Sequence, residues 1–361
     1  MPKSSWLMSA PAFAANAKAD TPLYPFLVRL IRGENLSMDK ASEFFRALTD
    51  HEANPAQIAG ALAALTAKSE TPEELAGMAR VMVEQAVKIN AGQKNLTDIT
   101  GTGASLAKTF NVSTAAALVA AGAGLPVAKQ TSRAVLSKSG SAEVLGKLGV
   151  NIAADPSASQ AALSGEEICF MFAPKFYPCL RHVNDVRRNL GIRTCLNLLA
   201  VLSNPAGALT RLVGVWQFPL IELVVKSHAL LGTERAWIVH GADGLDELTL
   251  AGETFVAELT KGRIKRFKVS PEDFGLQKAA ITHLKAKSAG DSAAIIREVL
   301  ENKRRDEARS LVVINAAAAL IVGGLAKQPK HAARLAEKSI DSGAARIKLE
   351  SLAQTTDKSK V

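Results

Sequence analysis

A glycine-rich turn followed by hydroxyl and amide side chains is the first feature of the sequence that could do chemistry. Residues 101–106 read Gly-Thr-Gly-Ala-Ser-Leu, and residues 109–114 read Thr-Phe-Asn-Val-Ser-Thr. Between a strand and a helix, such a turn presents backbone N–H groups and hydroxyls to an anion. It lacks the third glycine of the dinucleotide fingerprint and the Gly-Lys-Ser/Thr of a P-loop. The turn predicts a phosphate cradle of another kind or, as the alternative, only a capped helix.

A second basic and hydroxyl-rich segment follows the next predicted strand. Lys129 closes that strand, and residues 133–141 read Arg-Ala-Val-Leu-Ser-Lys-Ser-Gly-Ser. A lysine at the carboxyl end of a strand and serines at the start of a helix suit phosphate oxygens, in the crevice where α/β sheets bind ligands. An ordinary solvated loop is the alternative interpretation.

Two adjacent carboxylates, Asp246 and Glu247, follow a predicted strand that ends at His240. Mg²⁺ takes one or two protein carboxylates together with substrate phosphates and water, so this pair suits a magnesium site. Two acids in a loop are more often simply solvated. We interpret His240 as a packed residue at a strand end rather than as a catalyst.

Three arginines, Arg187, Arg188 and Arg193, lie close together in the sequence. One planar guanidinium among them could bind a carboxylate through two parallel hydrogen bonds. We expect Arg188 to be a surface residue. The basic segments at 261–268 and 303–309 are interpreted as solvated faces rather than as a surface for nucleic acid.

The elements that must position these residues fall into two groups. Capping residues at Thr21, Ser37, Asn54 and Thr71, three of them followed by proline, predict four helix starts. A small helical domain is therefore predicted over residues 21–93. Beyond it, short β-branched runs alternate with alanine-rich helices, which is the order of an α/β domain with a mostly parallel central sheet.

The bounds of the later elements follow from the same patterns. Seven strands are predicted, at 96–100, 125–129, 168–172, 212–216, 237–240, 254–259 and 264–269, the last two joined by a hairpin-like turn. Helices are predicted at 178–190, 193–202, 292–301, 306–324 and 328–340. The α/β domain would comprise 94–177 and 204–352, with the helices at about 178–203 joining the helical domain in space. We expect a disordered leader at 1–20 and a polar tail at 353–361.

Composition excludes several classes of protein. With 361 residues and 48% hydrophobic residues, the chain can fill the cores of about two domains. Its apolar runs are shorter than the roughly 18 to 20 residues that span a bilayer, so no membrane association is expected. Three cysteines without a CxxC pair fit neither a disulfide framework nor a zinc site, and they suggest the cytoplasm. The net charge of +10 favours an anionic partner, such as nucleic acid or a phosphorylated metabolite.

In their order along the chain, these segments resemble the anthranilate phosphoribosyltransferase family from about residue 24 to residue 352. The turn at 101–103 with 109–114 is similar to the family's phosphate loop, and Leu-Asp-Glu at 245–247 is similar to its metal motif. Residues 270–276 resemble a family segment. Residues 312–320 and 339–345 resemble the C-terminal signature.

The resemblance implies a fold, an activity and a set of site residues. The fold would pair a small helical domain with a large α/β domain, in a cytoplasmic homodimer. The activity would be Mg²⁺-dependent transfer of the phosphoribosyl group of phosphoribosyl pyrophosphate (PRPP) to the amine of anthranilate, which belongs to tryptophan biosynthesis. The donor would be bound by Gly101, Thr102, Gly103, Ala104, Ser105, Thr109, Asn111, Val112, Ser113, Thr114, Lys129, Arg133, Ser137 and Ser141. Two Mg²⁺ ions would be bound by Ser113, Asp246 and Glu247, and the aromatic acid acceptor by Gly101, Gln130, Ser132 and Arg187.

The chain departs from the family pattern mainly on the acceptor side. Residues 130–132 read Gln-Thr-Ser where the family has His-Gly-Asn, and Tyr177 replaces a histidine. Residues 104–106 replace Gly-Asp-Gly, and residues 200–201 replace a Gly-Pro pair. Two alternatives therefore stay open, a phosphoribosyltransferase for another aromatic acceptor and a catalytically reduced paralogue that binds nucleic acid. The predicted Mg²⁺ and pyrophosphate residues argue against the second.

Overall fold

The computed structural model describes residues 21–90, 92, 95–103, 107, 109–133 and 140–357. The predicted leader at 1–20 and the predicted donor-binding residues Ala104, Ser105 and Ser137 lie outside the described residues. No helix in the described ranges is long and apolar enough to cross a membrane.

Four helices form the N-terminal helical bundle: α1 (Tyr24–Ile31), α2 (Met38–Thr49), α3 (Pro55–Lys68) and α4 (Pro72–Glu84). Three of the predicted starts are confirmed, because the side chains of Ser37, Asn54 and Thr71 each accept a backbone hydrogen bond from the first turn that follows. At Thr71 a full capping box forms with Glu74.

The predicted start at Thr21 is wrong. Helix α1 begins at Tyr24 after Leu23, which makes no side-chain cap. The Thr21 hydroxyl instead donates to Oε1 of Gln57 on α3 at 2.6 Å. The hydroxyl that was predicted to cap α1 is therefore used in a contact with α3.

A seven-stranded sheet forms the centre of the second domain. Its strands are β1 (Thr97–Gly101), β2 (Val127–Thr131), β3 (Ile168–Phe172), β4 (Thr210–Gly214), β5 (Arg235–Gly241), β6 (Thr254–Thr260) and β7 (Arg263–Val269). Their order is β3-β2-β1-β4-β5-β6-β7, parallel through β5 and antiparallel at β6 and β7. The predicted mostly parallel sheet is confirmed, with strand bounds shifted by no more than two residues.

The remaining helices pack around this sheet. They are α5 (Val112–Gly122), α6 (Ser141–Lys147), α7 (Pro156–Glu166), α8 (Ala173–Phe176), α9 (Arg181–Leu190), α10 (Cys195–Leu202), α11 (Leu220–Leu230), α12 (Ala289–Leu300), α13 (Glu307–Val322), α14 (Pro329–Asp341) and α15 (Ala344–Thr355). Helices α5 and α13 pack on each other and on the strands at the centre of the sheet. Helices α9 and α10 contact α3 and α4 of the helical bundle, and α11 contacts both α4 and the sheet.

Two predicted boundaries need correction. The predicted helix at 178–190 opens as a 3-10 turn (Pro178–Leu180) and becomes α-helical only from Arg181. The predicted polar tail is wrong over its first residues, because α15 continues to Thr355. Its buried Leu349 and Leu352 are spaced three residues apart and hold one helical face against the domain, and the helix continues beyond them into the predicted tail.

The topology fixes where a ligand can bind. Beyond β1 the chain adds β2 and β3 on one side of the sheet, and β4 follows on the other side of β1. Ligands of open α/β sheets bind outside the carboxyl ends of the strands at such a switch point. Here these ends are Gly101 of β1 and Gly214 of β4, which stand in register.

We expect Gly77→Ala to destabilise the protein. A Cβ at Gly77 of α4 would lie 2.1 Å from the Met38 carbonyl oxygen of α2, so the two helices would have to separate. Such overpacking costs about 1–3 kcal/mol of unfolding free energy. The matched control is Gly146→Ala in α6, where a Cβ meets nothing within 4 Å and the helix should gain about 0.5–1 kcal/mol. Chemical denaturation measures the unfolding free energy of both variants. Equal changes in the two would contradict the described packing.

Candidate active site

The site is built around an unusually close approach of one loop to two strand ends. Asp246 lies against Gly101 and Gly214 at the switch point. A Cβ on Gly214 would fall 1.5 Å from the Asp246 carbonyl oxygen, and one on Gly101 would lie 3.3 Å from Asp246 Oδ2. Only glycine at Gly214 leaves room for this backbone, so the glycines at the two strand ends admit the carboxylate loop.

The loop that carries Asp246 and Glu247 is fixed from both ends. On the entry side, the Asp243 carboxylate accepts hydrogen bonds from the Leu245 N–H at 3.2 Å and from the Thr249 hydroxyl at 2.7 Å. On the exit side, the amide of Asn315, buried in α13, both accepts from the Leu248 N–H and donates to the Leu248 carbonyl, each at 2.9 Å. The two acidic residues are therefore held on a rigid loop.

The two carboxylates face the glycine turn and the start of α5. Asp246 Oδ2 accepts from the Gly103 N–H at 2.8 Å and from the Thr102 hydroxyl at 3.4 Å. Glu247 Oε1 accepts from the Ser113 N–H at 3.0 Å. Desolvation raises the pKa of Asp246, and it raises that of Glu247 well above its usual range with a further contribution from the Asp246 charge. A bound cation would therefore stabilise the ionised form of both carboxylates.

Lys129 supplies positive charge beside this pair. It is buried in β2, and its Nζ donates to the Ile99 carbonyl and, at 3.4 Å, to the Ser113 hydroxyl. Burial lowers the pKa of Lys129, while the charges of Asp98, Glu247 and Asp246 oppose that change. The lysine, the serine and the two carboxylates therefore form one cluster across β2, α5 and the acidic loop.

The described part of the glycine turn leads into the start of α5, as predicted. Val112 and Thr114 are buried in the first turn of the helix, so their side chains support it rather than point to solvent. The Asn111 side-chain oxygen accepts from the Ser292 hydroxyl of α12 at 3.0 Å, and Ser292 in turn accepts from the Asn111 N–H. Thr109 bonds its hydroxyl to the next carbonyl. The N–H groups of Gly103 and Ser113 donate to the carboxylates of the acidic loop, so the turn and the start of α5 are tied directly to Asp246 and Glu247.

The loop after β2 lies beside the same cluster. The Ser132 N–H is 3.4 Å from the Ser141 hydroxyl at the start of α6. Arg133 is exposed, with its guanidinium 5.7 Å from the centre of the Phe172 ring. Gln130 is buried and accepts a hydrogen bond at its Oε1 from the Tyr177 hydroxyl at 3.0 Å.

The three arginines occupy different environments. Arg188 is exposed and pairs with Asp185 at 3.0 Å, as expected of a surface residue. The guanidinium of Arg193 lies 5.1 Å from the centre of the Trp216 ring. Arg187 is half-buried, and its Nε has no hydrogen-bond partner among the described residues. Burial lowers the pKa of Arg187, so a carboxylate ligand would relieve the cost of its desolvated charge.

A second buried polar cluster was missed by the sequence analysis. Strands β1 and β2 share only the pair Thr97 and Val127, and beyond it the gap is bridged by side chains. Asn204 donates at 2.9 Å both to Asp98 Oδ2 and to the Ala128 carbonyl. Arg211 lies 3.4 Å from the same carboxylate oxygen. No local pattern signals this cluster, because Asp98 is more than one hundred residues away from both Asn204 and Arg211.

His240 is packed at a strand end, as interpreted from the sequence. It is buried, and its Nδ1 lies 2.8 Å from the Val215 carbonyl oxygen. Two other residues that the sequence analysis did not single out are Ser292 and Asn315. Asn315 did leave a signal, since it is the one amide within the apolar stretch 311–322 of α13.

The donor set fits Mg²⁺. Asp246 and Glu247 offer hard carboxylate oxygens, and Ser113 offers a hydroxyl. No group of three or more His, Cys, Asp or Glu side chains in the described ranges could hold a metal ion. A site with only two carboxylates is typical of Mg²⁺ that keeps waters and binds substrate phosphates.

Comparison with known proteins assigns both parts of the chain. The profile described as "Glycosyl transferase family, helical bundle domain" matches residues 24–86. The profile described as "Glycosyl transferase family, a/b domain" matches residues 93–346. The two matches together span the helical bundle and the domain that carries the site.

Individual relatives agree with these profiles. Anthranilate phosphoribosyltransferases of Phenylobacterium zucineum and Afipia carboxidovorans are 42% and 44% identical, over 92% and 90% of this chain and 98% and 96% of theirs. The Thermus thermophilus enzyme structure has a TM-score of 0.86 at 37% identity, covering 92% of this chain and 99% of that one. The Saccharomyces cerevisiae enzyme in complex with PRPP and Mg has a TM-score of 0.84 at 26% identity, covering 94% and 98%. The chain belongs to the anthranilate phosphoribosyltransferase family.

Proposed function

We propose that the protein transfers the phosphoribosyl group of PRPP to the amine of anthranilate, giving N-(5-phosphoribosyl)anthranilate and pyrophosphate in tryptophan biosynthesis. The observation that carries this proposal is the Asp246 and Glu247 pair held at the switch point beside Lys129 and the glycine turn. The yeast relative in complex with PRPP and Mg, and the same enzyme with 4-fluoroanthranilate, support it.

The donor would lie between the glycine turn and the loop after β2. The amino end of α5 would face the phosphate oxygens, because the start of a helix favours negative charge. Lys129 adds a positive charge beside Ser113 at this end of the helix. Hydroxyls of Ser113 and Ser141 would complete the binding site together with Arg133.

Ser113, Asp246 and Glu247 would hold Mg²⁺, which we expect as two ions. Bound there, the metal supplies charge stabilisation for a pyrophosphate leaving group. The negative charges of the two adjacent carboxylates attract a cation, which a pair of neutral side chains would not do. The buried hydrogen bonds from Gly103 and Ser113 fix the carboxylates before substrate enters.

In the reaction the anthranilate nitrogen forms a bond to the anomeric carbon of ribose while the bond from that carbon to the pyrophosphate oxygen breaks. The nitrogen then gives up one proton to water or to the released pyrophosphate. Negative charge grows on the leaving oxygen, and the Lys129 ammonium beside Ser113 and the carboxylate pair would help to offset it. Preorganised donors of this kind stabilise the transition state without reorganising. Orientation of the two substrates contributes the rest.

The acceptor would lie on the side of Arg187. Its half-buried guanidinium, with an unpartnered Nε, suits the carboxylate of an aromatic acid. Gln130 and Ser132 of the loop after β2, with Gly101, would line the remainder. Gln130 and Tyr177 stand where the family has histidines, and here they contact each other. Because of this difference on the acceptor side, a phosphoribosyltransferase for another aromatic acid is the second candidate.

Nucleic acid is not favoured as a partner. On the basic edge strand β7, Arg266 forms an ion pair with Glu222, and Lys268 forms one with Glu253 at 2.7 Å. These acids neutralise part of the positive surface. We expect the protein to be a homodimer in the cytoplasm. Sedimentation analysis of the purified protein tests the dimer.

The direct test of the proposed function is an assay with PRPP, Mg²⁺ and anthranilate. Consumption of anthranilate is followed by loss of its fluorescence, and release of pyrophosphate is measured in parallel. A panel of other aromatic amines, with and without a carboxylate, is tested alongside. Turnover of another amine but not of anthranilate would favour the second candidate.

We expect Asp246→Asn combined with Glu247→Gln to abolish Mg²⁺-dependent turnover and leave the fold intact. Without metal this variant should still fold, because its amide oxygens keep acceptors for the Gly103 and Ser113 N–H groups. Mg²⁺ should raise the melting temperature of the wild type only. Normal turnover by the variant would refute the metal assignment.

We expect Arg187→Ala to raise the KM for anthranilate about 10- to 100-fold, because a hydrogen bond to a charged group contributes about 1.5–3 kcal/mol. The KM for PRPP should change little. The matched control is Arg188→Ala, which removes an exposed arginine from the next position of the same helix. Similar effects of the two changes on the anthranilate KM would show that Arg187 does not face the acceptor.

A further inference from the structure

We propose that Tyr177 is a positioning residue for acceptor recognition: its hydroxyl bonds Gln130 so that the Gln130 amide presents only its NH₂ group to the acceptor. The inference rests on the proposed function and deepens it. Gln130 lies in β2, and Tyr177 follows the short helix α8 after β3. The hydroxyl lies 3.0 Å from Gln130 Oε1.

The buried environment of Tyr177 fixes which way the amide points. Tyr177 is 1% exposed, and burial raises the pKa of its hydroxyl, so the proton stays on the oxygen. Among the described residues, the hydroxyl has Gln130 Oε1 as its acceptor. Reversing the amide would set the NH₂ group against the hydroxyl and leave the buried O–H without an acceptor. Such an unsatisfied donor costs about 1–3 kcal/mol, so the observed orientation is favoured.

The backbone of Gln130 is fixed as well. Asn204, which contacts the Asp98 carboxylate together with Arg211, also donates to the Ala128 carbonyl of the same strand. In register across the sheet, Gln130 pairs with Met171 of β3. Both the main chain and the side-chain oxygen of Gln130 are therefore engaged, and its NH₂ group is what remains for a ligand.

The position of Gln130 in the strand places it at the substrate cleft. It directly follows Lys129 of the phosphate and metal cluster, and it precedes the Ser132 loop. Successive residues of a strand point to opposite faces, so Gln130 projects away from the side on which Lys129 meets Ser113. On that opposite side Tyr177 leads through the 3-10 turn into α9, which carries Arg187.

The class of acceptor follows from this arrangement. An amide NH₂ donates hydrogen bonds and does not accept them, and it has no titration near neutral pH. The acceptor atom that meets Gln130 must therefore accept a hydrogen bond, as a carboxylate or carbonyl oxygen does. Together with Arg187, this selects an aromatic amine that carries a carboxylate.

The test is a double-mutant cycle on Tyr177→Phe and Gln130→Met, read as kcat and KM for anthranilate and for PRPP. We expect Tyr177→Phe to raise the anthranilate KM about 2- to 10-fold, the loss of one hydrogen bond. The kcat and the PRPP KM should stay within about twofold. Because Tyr177 acts through Gln130, adding Tyr177→Phe to Gln130→Met should have no further effect. Additive effects, or an equal loss of PRPP affinity, would overturn the proposal.

Gln130→Glu provides a second variant that keeps the buried pair. Its carboxylate still accepts from Tyr177 but replaces the NH₂ group by an oxygen, so the anthranilate KM should rise more than 10-fold while the PRPP KM does not. Thermal melting of all variants separates loss of fold from loss of recognition. An anthranilate KM unchanged by Gln130→Glu would overturn the proposal.

Turnover of anthranilate by the wild type tests the proposed function separately from the roles of Tyr177 and Gln130. If the wild type does not turn over anthranilate, calorimetry of the same variants with anthranilate and with benzoate, in PRPP and Mg²⁺, tests the pair. Weaker binding in Tyr177→Phe and Gln130→Glu, with no added loss in the double mutant of the cycle, supports it. Equal binding in all variants, or no binding of either probe, overturns it.

Discussion

The approach of the Asp246 backbone to Gly214 is the constraint on which the rest of the site depends. A Cβ there would lie 1.5 Å from the Asp246 carbonyl oxygen, so the strand end must be bare for the acidic loop to reach the switch point. With the loop in place, its two carboxylates meet the glycine turn and the start of α5, and Lys129 is drawn into the same cluster. Buried charges of opposite sign are then held together before any substrate binds, which is the preorganisation that phosphoribosyl transfer requires.

The two sides of the cleft are built differently. On the proposed donor side, a fixed carboxylate loop anchored by Asn315 meets the glycine turn and the start of α5. The acceptor side relies on side chains, and two of the positions at which the chain departs from its family, Gln130 and Tyr177, are in direct contact. A change at one of them alone would leave a buried polar group unpaired, so the two substitutions form one unit.

Much of the fold could be predicted from the sequence, because strands, caps and glycine turns are local features. Ser37, Asn54 and Thr71 cap their helices as expected, whereas Thr21 does not, because its hydroxyl binds Gln57 of another helix. The exposed position of Arg188 was also predicted from the sequence. The network of Asp98, Asn204 and Arg211 was not, since it joins distant segments across a gap between two strands.

We propose that the acidic loop and the glycine turn bind PRPP together with Mg²⁺. Calorimetric titration of the wild-type protein with PRPP, with and without Mg²⁺ and without any acceptor, tests this binding. We expect one PRPP per chain and binding that strengthens markedly when Mg²⁺ is present. Equal affinity with and without Mg²⁺, or no binding of PRPP in either condition, would contradict it.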